Sequence, residues 1–301
     1  SLMKPQYDNK VLSSFLLWFD NKLLKKGEGF TNHSSAMFDM SETISYGGSY
    51  NTYGAPFKQF VYDEGIAGSN MFTGITVTDS VSGTNTYPLS SAKVFSLNPT
   101  EGQVTLNLDE FAGTIQAVTG DYSIKEFSVK MATEPEEKLL FETKYLVKPV
   151  VDQSITTGMQ VDEESFPVVF LLNNGSMNEP GAFGGHDFTS IDIRAVVLSD
   201  SRFSLDAIFS IFRDSKKENF FLFDENEMPF NFAGSYKDDV TFDYTGVVGG
   251  TNLGGPKGAF IDEVTVASQS TSDLNELQDI DTAVFAGIID FEVRNLREPR
   301  C

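Results

Sequence analysis

Residues 188–223 read FTSIDIRAVVLSDSRFSLDAIFSIFRDSKKENFFLF and carry strand, helix and strand signals in succession. In the first part, apolar side chains alternate along one face, which is the period-two pattern of a half-buried strand. The residues on that face are Ile191, Ile193, Ala195 and Val197. Further on, apolar side chains recur at helical spacing after a capping serine, Ser201 or Ser204. These helix residues are Leu205, Ile208, Phe209 and Phe212. The stretch predicts a strand, a helix over about 203–217 that packs on a sheet, and a short strand at Phe220–Phe223.

A second helix is predicted over Tyr7–Lys26, because apolar residues again follow helical spacing and Gly27 comes next as a helix-ending residue. Its apolar sector is wider than one flank of a small sheet usually covers, and it includes Phe15, Trp18 and Phe19. We therefore expect this helix to pack between two surfaces, either two domains of one chain or two neighbouring subunits. A helix lying wholly on its own domain is the other open alternative. The three aromatic residues are candidate interface residues.

Between the two helices, short apolar runs separated by turn residues are typical of a β-sandwich or barrel. The predicted strands are Phe72–Thr78, Ala92–Leu97, Gln103–Leu108, Thr114–Val118, Tyr122–Lys130 and Leu139–Tyr145. Asn98–Gly102 predicts a hairpin turn, and Gly29–Ala67 predicts a loop with weak strands. In the second half, strands are predicted at Phe166–Asn173, Val240–Val248, Ala259–Ala267 and Ala283–Asn295, with a loop at Ser176–Gly185.

These patterns predict a mainly β or α+β protein in three parts. Residues 1–27 hold the N-terminal helix, and residues 28–148 form a β-sandwich-like domain. Residues 149–301 form an α+β domain, whose mixed or antiparallel sheet carries one packed helix.

The composition limits the classes of partner. With 22 basic and 43 acidic side chains, the formal net charge is −21, so the surface repels phosphate backbones and nonspecific nucleic-acid binding is not expected. One cysteine, Cys301, excludes an intramolecular disulfide framework. The sequence contains no long apolar run and no signal-peptide pattern, so we expect neither a membrane span nor export.

No coherent active site is recognisable, so we predict no enzymatic activity, no cofactor and no metal. The two histidines, His33 and His186, are too few for a multi-histidine metal site, and His186 is predicted to be a turn residue. Acidic clusters such as Asp224–Glu227 are interpreted as solvated loops. Three arginines at one end, Arg294, Arg297 and Arg300, either contact an acidic patch on a neighbouring subunit or form a solvated tail.

Several strings of this sequence, spread over most of its length, resemble virion structural proteins of tailed bacteriophages, in particular neck or tail-associated subunits. They are Ser13–Asp20, Lys26–Asn32, Tyr53–Asp63, Lys125–Phe127, Leu139–Thr143, Ala182–Gly185, Arg194–Ser201, Leu205–Ile208 and Phe212–Asp214. None is a catalytic signature, and none transfers the role of an individual residue. The resemblance implies a homo-oligomer, expected to be a ring, that contacts other virion proteins. DNA would pass such a ring without specific binding.

The leading hypothesis is therefore a non-enzymatic structural subunit that is made in the host cytoplasm and carried in the virion. Two alternatives stay open. The aromatic loop Tyr46–Tyr53 suggests a carbohydrate- or receptor-binding β-sandwich module, and His186 beside Asp187 suggests a hydrolase.

Overall fold

The computed structural model describes residues 7–41, 48–132, 135–141, 145–147, 164–180, 187–230, 237, 242–249, 257–268 and 285–297. These residues form four helices: α1 (Tyr7–Gly27), α2 (Glu136–Phe141), α3 (Arg202–Arg213) and α4 (Tyr244–Gly249). The first seven strands are β1 (Phe30–Asp39), β2 (Tyr50–Gly54), β3 (Gly74–Asp79), β4 (Gly83–Pro88), β5 (Val94–Asn98), β6 (Gln103–Asn107) and β7 (Ile115–Lys125). The next eight are β8 (Ser128–Met131), β9 (Tyr145–Val147), β10 (Glu164–Phe166), β11 (Val168–Pro180), β12 (Asp187–Ser199), β13 (Asn219–Phe221), β14 (Gly258–Ser268) and β15 (Phe285–Arg297). The predicted class, mainly β or α+β with an N-terminal helix, is confirmed.

The first sheet has seven strands in the order β4-β3-β7-β1-β2-β6-β5. β1 joins its two halves, because Phe30–Met37 pair with β7 while Phe38 and Asp39 pair with β2. The sheet therefore curls around its own apolar core. The largest fully buried side chains in that core are Tyr122, Phe60 and Phe72. The predicted hairpin is present, since Asn98 pairs with Gln103.

The second sheet has six strands in the order β13-β14-β15-β12-β11-β8. It is mixed, because β8 runs parallel to β11 while the other pairs are antiparallel. The chain passes from the first sheet to the second between β7 and β8. Because β8 ends at Met131, this crossing lies before residue 148, where the domain boundary was expected. A separate two-stranded sheet pairs β9 with β10.

The strand-helix-strand unit predicted from residues 188–223 is present as β12, α3 and β13. The apolar face of β12 lies in the main core together with Leu205, Ile208 and Phe212 of α3. Ser201 occupies the N-cap position without a side-chain cap hydrogen bond. The helix ends at Arg213, earlier than 217, and the chain then turns so that the Lys217 amide donates to the Ile261 carbonyl.

Phe209 faces the sheet, as the helical spacing predicts, but it is only half-buried. Its ring lies over Gly287 of β15, where a β-carbon would collide with it. The fully buried ring of the helix is Phe212, which stacks on Phe19 of α1 with ring centroids 3.8 Å apart.

Several predicted segments differ from the structure. Gly29–Ala67 contains the ten-residue strand β1, whose polar sequence hides its pairing with β7. The strand predicted at Leu139–Tyr145 begins instead in α2, where the adjacent residues Leu139 and Leu140 both pack against the second sheet. The strand predicted at Val240–Val248 overlaps α4, which begins at Tyr244.

α1 lies between the two sheets of one chain. One side packs on α3, β8, β11 and β13 in the main core. On the other side, Asp20 contacts Lys125 of β7, and Asn21 and Leu24 contact the loop between β2 and β3. Leu24 packs with Val61 and Ile66 of that loop. Of the alternatives for this helix, the structure shows packing within a single chain.

Phe212→Ala is expected to lower the free energy of unfolding by about 3–5 kcal/mol, because it removes a buried ring and leaves a cavity under α1. Phe209→Ala should cost less, since its ring is only partly buried. Phe203→Ala, at a side chain that is 82% exposed, is the control and should change stability by less than about 0.5 kcal/mol. Denaturant titration of the three variants measures their losses of unfolding free energy, which should be largest for Phe212→Ala and smallest for Phe203→Ala. Equal losses at Phe212 and Phe203 would contradict this packing.

Candidate assembly surface

Phe15, Trp18 and Phe19, the candidate interface residues of α1, lie in the core of their own chain. Their exposed fractions are 0%, 5% and 0%. The ring centroids of Phe15 and Phe291 are 4.9 Å apart, and those of Trp18 and Phe212 are 5.8 Å apart. Because these rings are covered by the chain itself, they form no surface for a neighbouring subunit in this structure.

Arg294 lies on β15 and is held by acidic side chains of its own chain. Its Nη2 is 2.7 Å from Oε1 of Glu292, and its Nε is 3.1 Å from Oδ2 of Asp262. The side chain remains 37% exposed. Arg297 ends β15, where its backbone pairs with Asp187. The side chain of Arg297 and the whole of Arg300 lie outside the described residues, as does His186.

The outer face of the second sheet, opposite α1 and α3, is covered near one end by α2. There Leu139 and Leu140 pack against Val168, Phe170 and Val196. Further along the same strands, Arg194 lies between carboxylates and donates to Asp290 and to Glu136 of α2. The described part of the chain places no further helix on this face beyond Arg194.

Apolar side chains are exposed on that open part of the face. Met177 is 55% exposed and Leu296 is 47% exposed, and Phe188 is half-buried. The register brings them together, because Met177 is opposite Ser190, two residues from Phe188, and Phe188 is opposite Leu296. Residues opposite one another on paired strands, and residues two apart, share a face. We call Met177, Phe188 and Leu296 the outer-face patch.

The patch is next to Arg294, the one candidate interface residue whose side chain is described at the surface. Ser190 pairs with Met177 on one side and with Arg294 on the other. The structure therefore brings an arginine and three apolar side chains onto one face. The sequence interpretation missed Met177 because it ended the strand at Asn173 and placed Ser176–Gly185 in a loop. In the structure β11 continues to Pro180 past a bulge at Asn173–Gly175.

A second exposed group is the ring pair Tyr50–Phe95 on the first sheet. The ring centroids are 4.5 Å apart, and Phe95 is 49% exposed. Tyr50 belongs to the aromatic stretch Tyr46–Tyr53 in which a carbohydrate site was suspected. Tyr46 itself lies outside the described residues.

Buried polar groups join α1 to β7 and to the loop between β2 and β3. Nζ of Lys125 is 2.7 Å from Oδ2 of Asp20, and the two side chains are 4% and 3% exposed. Beside them, Asp63 accepts from the Asn21 amide at 2.7 Å and from the backbone N–H groups of Gly65 and Tyr244 at 2.9 and 3.2 Å. Because these carboxylates are engaged by donors of the chain itself, the cluster is suited to fastening segments together.

The other candidate groups for chemistry have structural surroundings. The ring of His33 lies 4.5 Å from that of Phe57 and 6.1 Å from that of Tyr122. An apolar cavity beside Phe60 and Phe72 has a volume of about 10 Å³, room for about one water molecule. Among the described residues, no set of three or more His, Cys, Asp or Glu side chains is placed to bind a metal ion.

Comparison with known proteins adds no family. No protein-family model matches the sequence, and no curated protein matches it. In the part of the chain that the structure describes, no helix is both long and apolar enough to cross a membrane.

The Asp63 cluster generates a prediction about pH. Burial raises the pKa of Asp63 above its ordinary value of 3.8, although hydrogen bonds from Asn21, Gly65 and Tyr244 act in the opposite direction. A folded-state pKa above the unfolded one means that the favourable contribution is present below the unfolded pKa and is lost as the pH rises through the folded pKa. We therefore expect the free energy of unfolding of the wild type, relative to that of Asp63→Asn, to increase as the pH falls from about 7 to about 4.

Urea titrations of both proteins at several pH values measure this difference. Asp63→Asn is a suitable reference because it keeps an acceptor oxygen and cannot titrate. Asp206→Asn, at a carboxylate with 65% side-chain exposure, is the matched control. Its free energy of unfolding should change with pH by the same amount as that of the wild type. A constant offset between wild type and Asp63→Asn across this range would contradict the role of Asp63.

Proposed function

We propose that the chain is a non-enzymatic structural subunit of a tailed-phage virion, which assembles as a homo-oligomer and contacts other virion proteins. The observation that carries the proposal is the outer-face patch, an exposed apolar surface on three paired strands of the second sheet. The virion assignment is supported by the sequence resemblance. The position in the neck or tail and the ring form are parts of the same proposal.

An exposed apolar patch favours association because water is released when it is covered. Burying a large apolar side chain contributes about 1.5–3 kcal/mol. Met177, Phe188 and Leu296 are adjacent and project from three paired strands, so one partner surface can cover them together. The strands that carry Met177 and Leu296 are already paired with β12, so their backbones lose little conformational entropy on binding, which favours affinity.

The charge distribution supports the same role. A chain with a net charge of −21 repels its own copies, so association requires a surface that is poor in carboxylates. Beside the outer-face patch, Arg294 pairs with both Glu292 and Asp262, which compensates part of their negative charge. One carboxylate remains on this face, because Glu179 is opposite Phe188. The acidic remainder would also let DNA pass a ring of such subunits without holding it.

Two measurements test the function. Mass spectrometry of purified virions should find this chain in multiple copies per particle, and light scattering of the purified chain should find an oligomer. A chain that stays monomeric and is absent from the particles would overturn the proposal.

The double substitution Met177→Lys with Leu296→Lys should weaken association, because it places two cations in a surface that must lose its water. With about 1.5–3 kcal/mol per buried side chain, we expect the dissociation constant to rise at least about tenfold. Sedimentation over a range of concentrations measures it. Val81→Lys, at an apolar side chain that is 68% exposed in the turn between β3 and β4, is the control and should leave the dissociation constant unchanged. An equal effect of both variants would show that added charge alone, and not the patch, is responsible.

Carbohydrate binding is the second candidate function, and the Tyr50–Phe95 ring pair favours it. Sugars stack their apolar faces on exposed aromatic rings, and this pair offers two adjoining rings at the surface. A glycan array probed with the purified chain should then give a defined set of bound sugars. Binding should be lost in Phe95→Ala and kept in Phe203→Ala, since Phe203 is an exposed ring on α3 away from the pair. An array without binding would reject this candidate.

A further inference from the structure

We propose that the free edge of β11 at Ser176–Asn178 pairs antiparallel with the same edge of a second copy, so that two six-stranded sheets become one continuous sheet across a two-fold axis. This inference rests on the proposed homo-oligomer and names the surface that forms it.

The edge of β11 that faces away from β12 is unpaired, among the described residues, along more than half of the strand. β8 pairs only with Val168–Leu171, whereas β12 pairs with β11 as far as Pro180. Among the described residues, no strand lies on the other side of Leu172–Pro180. All residues of β11 from Asn173 onward are exposed. This part of the edge therefore offers backbone groups to an incoming strand.

The hydrogen-bond pattern shows which backbone groups point outward. Leu171 accepts from Ala132 beyond β8, so it faces away from β12, and in a strand the direction alternates from residue to residue. The bulge inserts one extra residue between Asn173 and Gly175 and reverses this alternation. Beyond the bulge, the N–H and C=O groups of Met177 point to β12, and those of Ser176 and Asn178 point to the free edge.

These outward-pointing backbone groups can pair with the same groups of a second copy of the chain. If Met177 lies on the two-fold axis, Ser176 is opposite Asn178 of the second copy, and Asn178 is opposite its Ser176. Each such pair exchanges two backbone hydrogen bonds, which makes four in all. Pro180 has no N–H and Gly175 belongs to the bulge, so the pairing segment is bounded at both ends.

The side chains favour a second copy as the occupant. Leu172–Asn178 contains no charged residue, so a strand of this very acidic chain can lie against its own copy without like-charge contact. In the proposed register Glu179 is opposite Gly175 of the second copy. Met177, which belongs to the outer-face patch, contacts Met177 of the second copy, and the two patches become continuous.

The strand is also held in place before pairing. The Ser176 hydroxyl donates to Oδ2 of Asp8 in α1 at 2.8 Å, on the face opposite Met177. Asn178 accepts from the hydroxyl of Thr189 on β12 at 2.7 Å. Because α1 and β12 already hold this part of β11 in an extended conformation, it loses little conformational entropy when another strand pairs with it.

β4 is a useful comparison, because it is also an uncharged edge strand. It pairs only with β3 among the described strands, and its sequence is GTNTYP. Thr84 and Thr86 already bond to the hydroxyls of Thr78 and Thr76 on β3. Pairing at β4 would bury little apolar surface, so β11 is favoured over β4.

A disulfide across the axis tests the register. Cysteines at a non-hydrogen-bonded antiparallel pair have Cα atoms about 4.5 Å apart, within the range that a disulfide spans. In a Cys301→Ser background, Met177→Cys should give a covalent dimer on mild oxidation, in at least tenfold higher yield than Thr84→Cys. Nonreducing electrophoresis and intact mass measure the yield.

Proline at the edge supplies an independent measurement. Ser176→Pro removes an N–H that points outward, so it should weaken dimerisation at least tenfold while the melting temperature of the monomer stays close to that of Ser176→Ala. Ser176→Ala is the matched control, since it also loses the hydroxyl bond to Asp8 but keeps the N–H group.

The outcomes separate this inference from the proposed function. An oligomer whose Met177→Cys variant cross-links no better than Thr84→Cys, or whose Ser176→Pro variant dimerises normally, overturns the β11 pairing and leaves the structural role standing. A Cys301→Ser chain that is monomeric at every concentration and absent from particles overturns both. Selective cross-linking at Met177 together with loss of dimer in Ser176→Pro supports the pairing.

Discussion

The buried ion pair between Asp20 and Lys125 is the constraint on which the arrangement of the two sheets depends. A charge pair that is almost fully buried is costly to separate, because breaking it leaves an uncompensated charge away from water. Asp20 belongs to α1 and Lys125 is the last residue of β7, so the pair fixes the helix to the first sheet at one point. On its other side, the same helix places Phe15 and Phe19 in the core of the second sheet. One helix is thus fastened by polar contacts on one side and by apolar contacts on the other.

The position of α1 decides which surfaces remain open. With α1 and α3 on the inner face of the second sheet, α2 covers only one end of the outer face. The long strands β11, β12 and β15 extend beyond this cover and carry the outer-face patch at their far ends. The parallel strand β8 is too short to cover the edge of β11 beyond Leu171. The exposed apolar side chains and the free edge therefore have one structural cause, which is the difference in length between the strands and the elements that cover them.

The sequence predicts the elements whose residues repeat with a regular period. β12 and α3 follow this rule, and so does α1, because one face of each must be apolar to reach the core. β1 does not, since its polar residues are stabilised by pairing with β7, about 90 positions away along the chain. The end of β11 was missed because the bulge at Asn173–Gly175 breaks the period of two. Asp20, Asp63 and Lys125 were also beyond prediction, since burial of a charge depends on tertiary neighbours that no local pattern records.

The acidic composition acquires a structural meaning when it is set beside the uncharged edge. With a net charge of −21, copies of the chain repel one another wherever carboxylates cover the surface. This repulsion opposes assembly in general, and it also suppresses contacts in unintended orientations. Neutral surfaces are then the ones at which association is least opposed. Uncharged edges are found in β4, in β5 and in the Leu172–Asn178 part of β11. β5 exposes Phe95, whereas β11 exposes Met177, which lies beside two further apolar side chains, Phe188 and Leu296. Repulsion elsewhere and apolar contact at this strand act in the same direction, so specificity for one mode of association follows from the distribution of charge as much as from the contact itself.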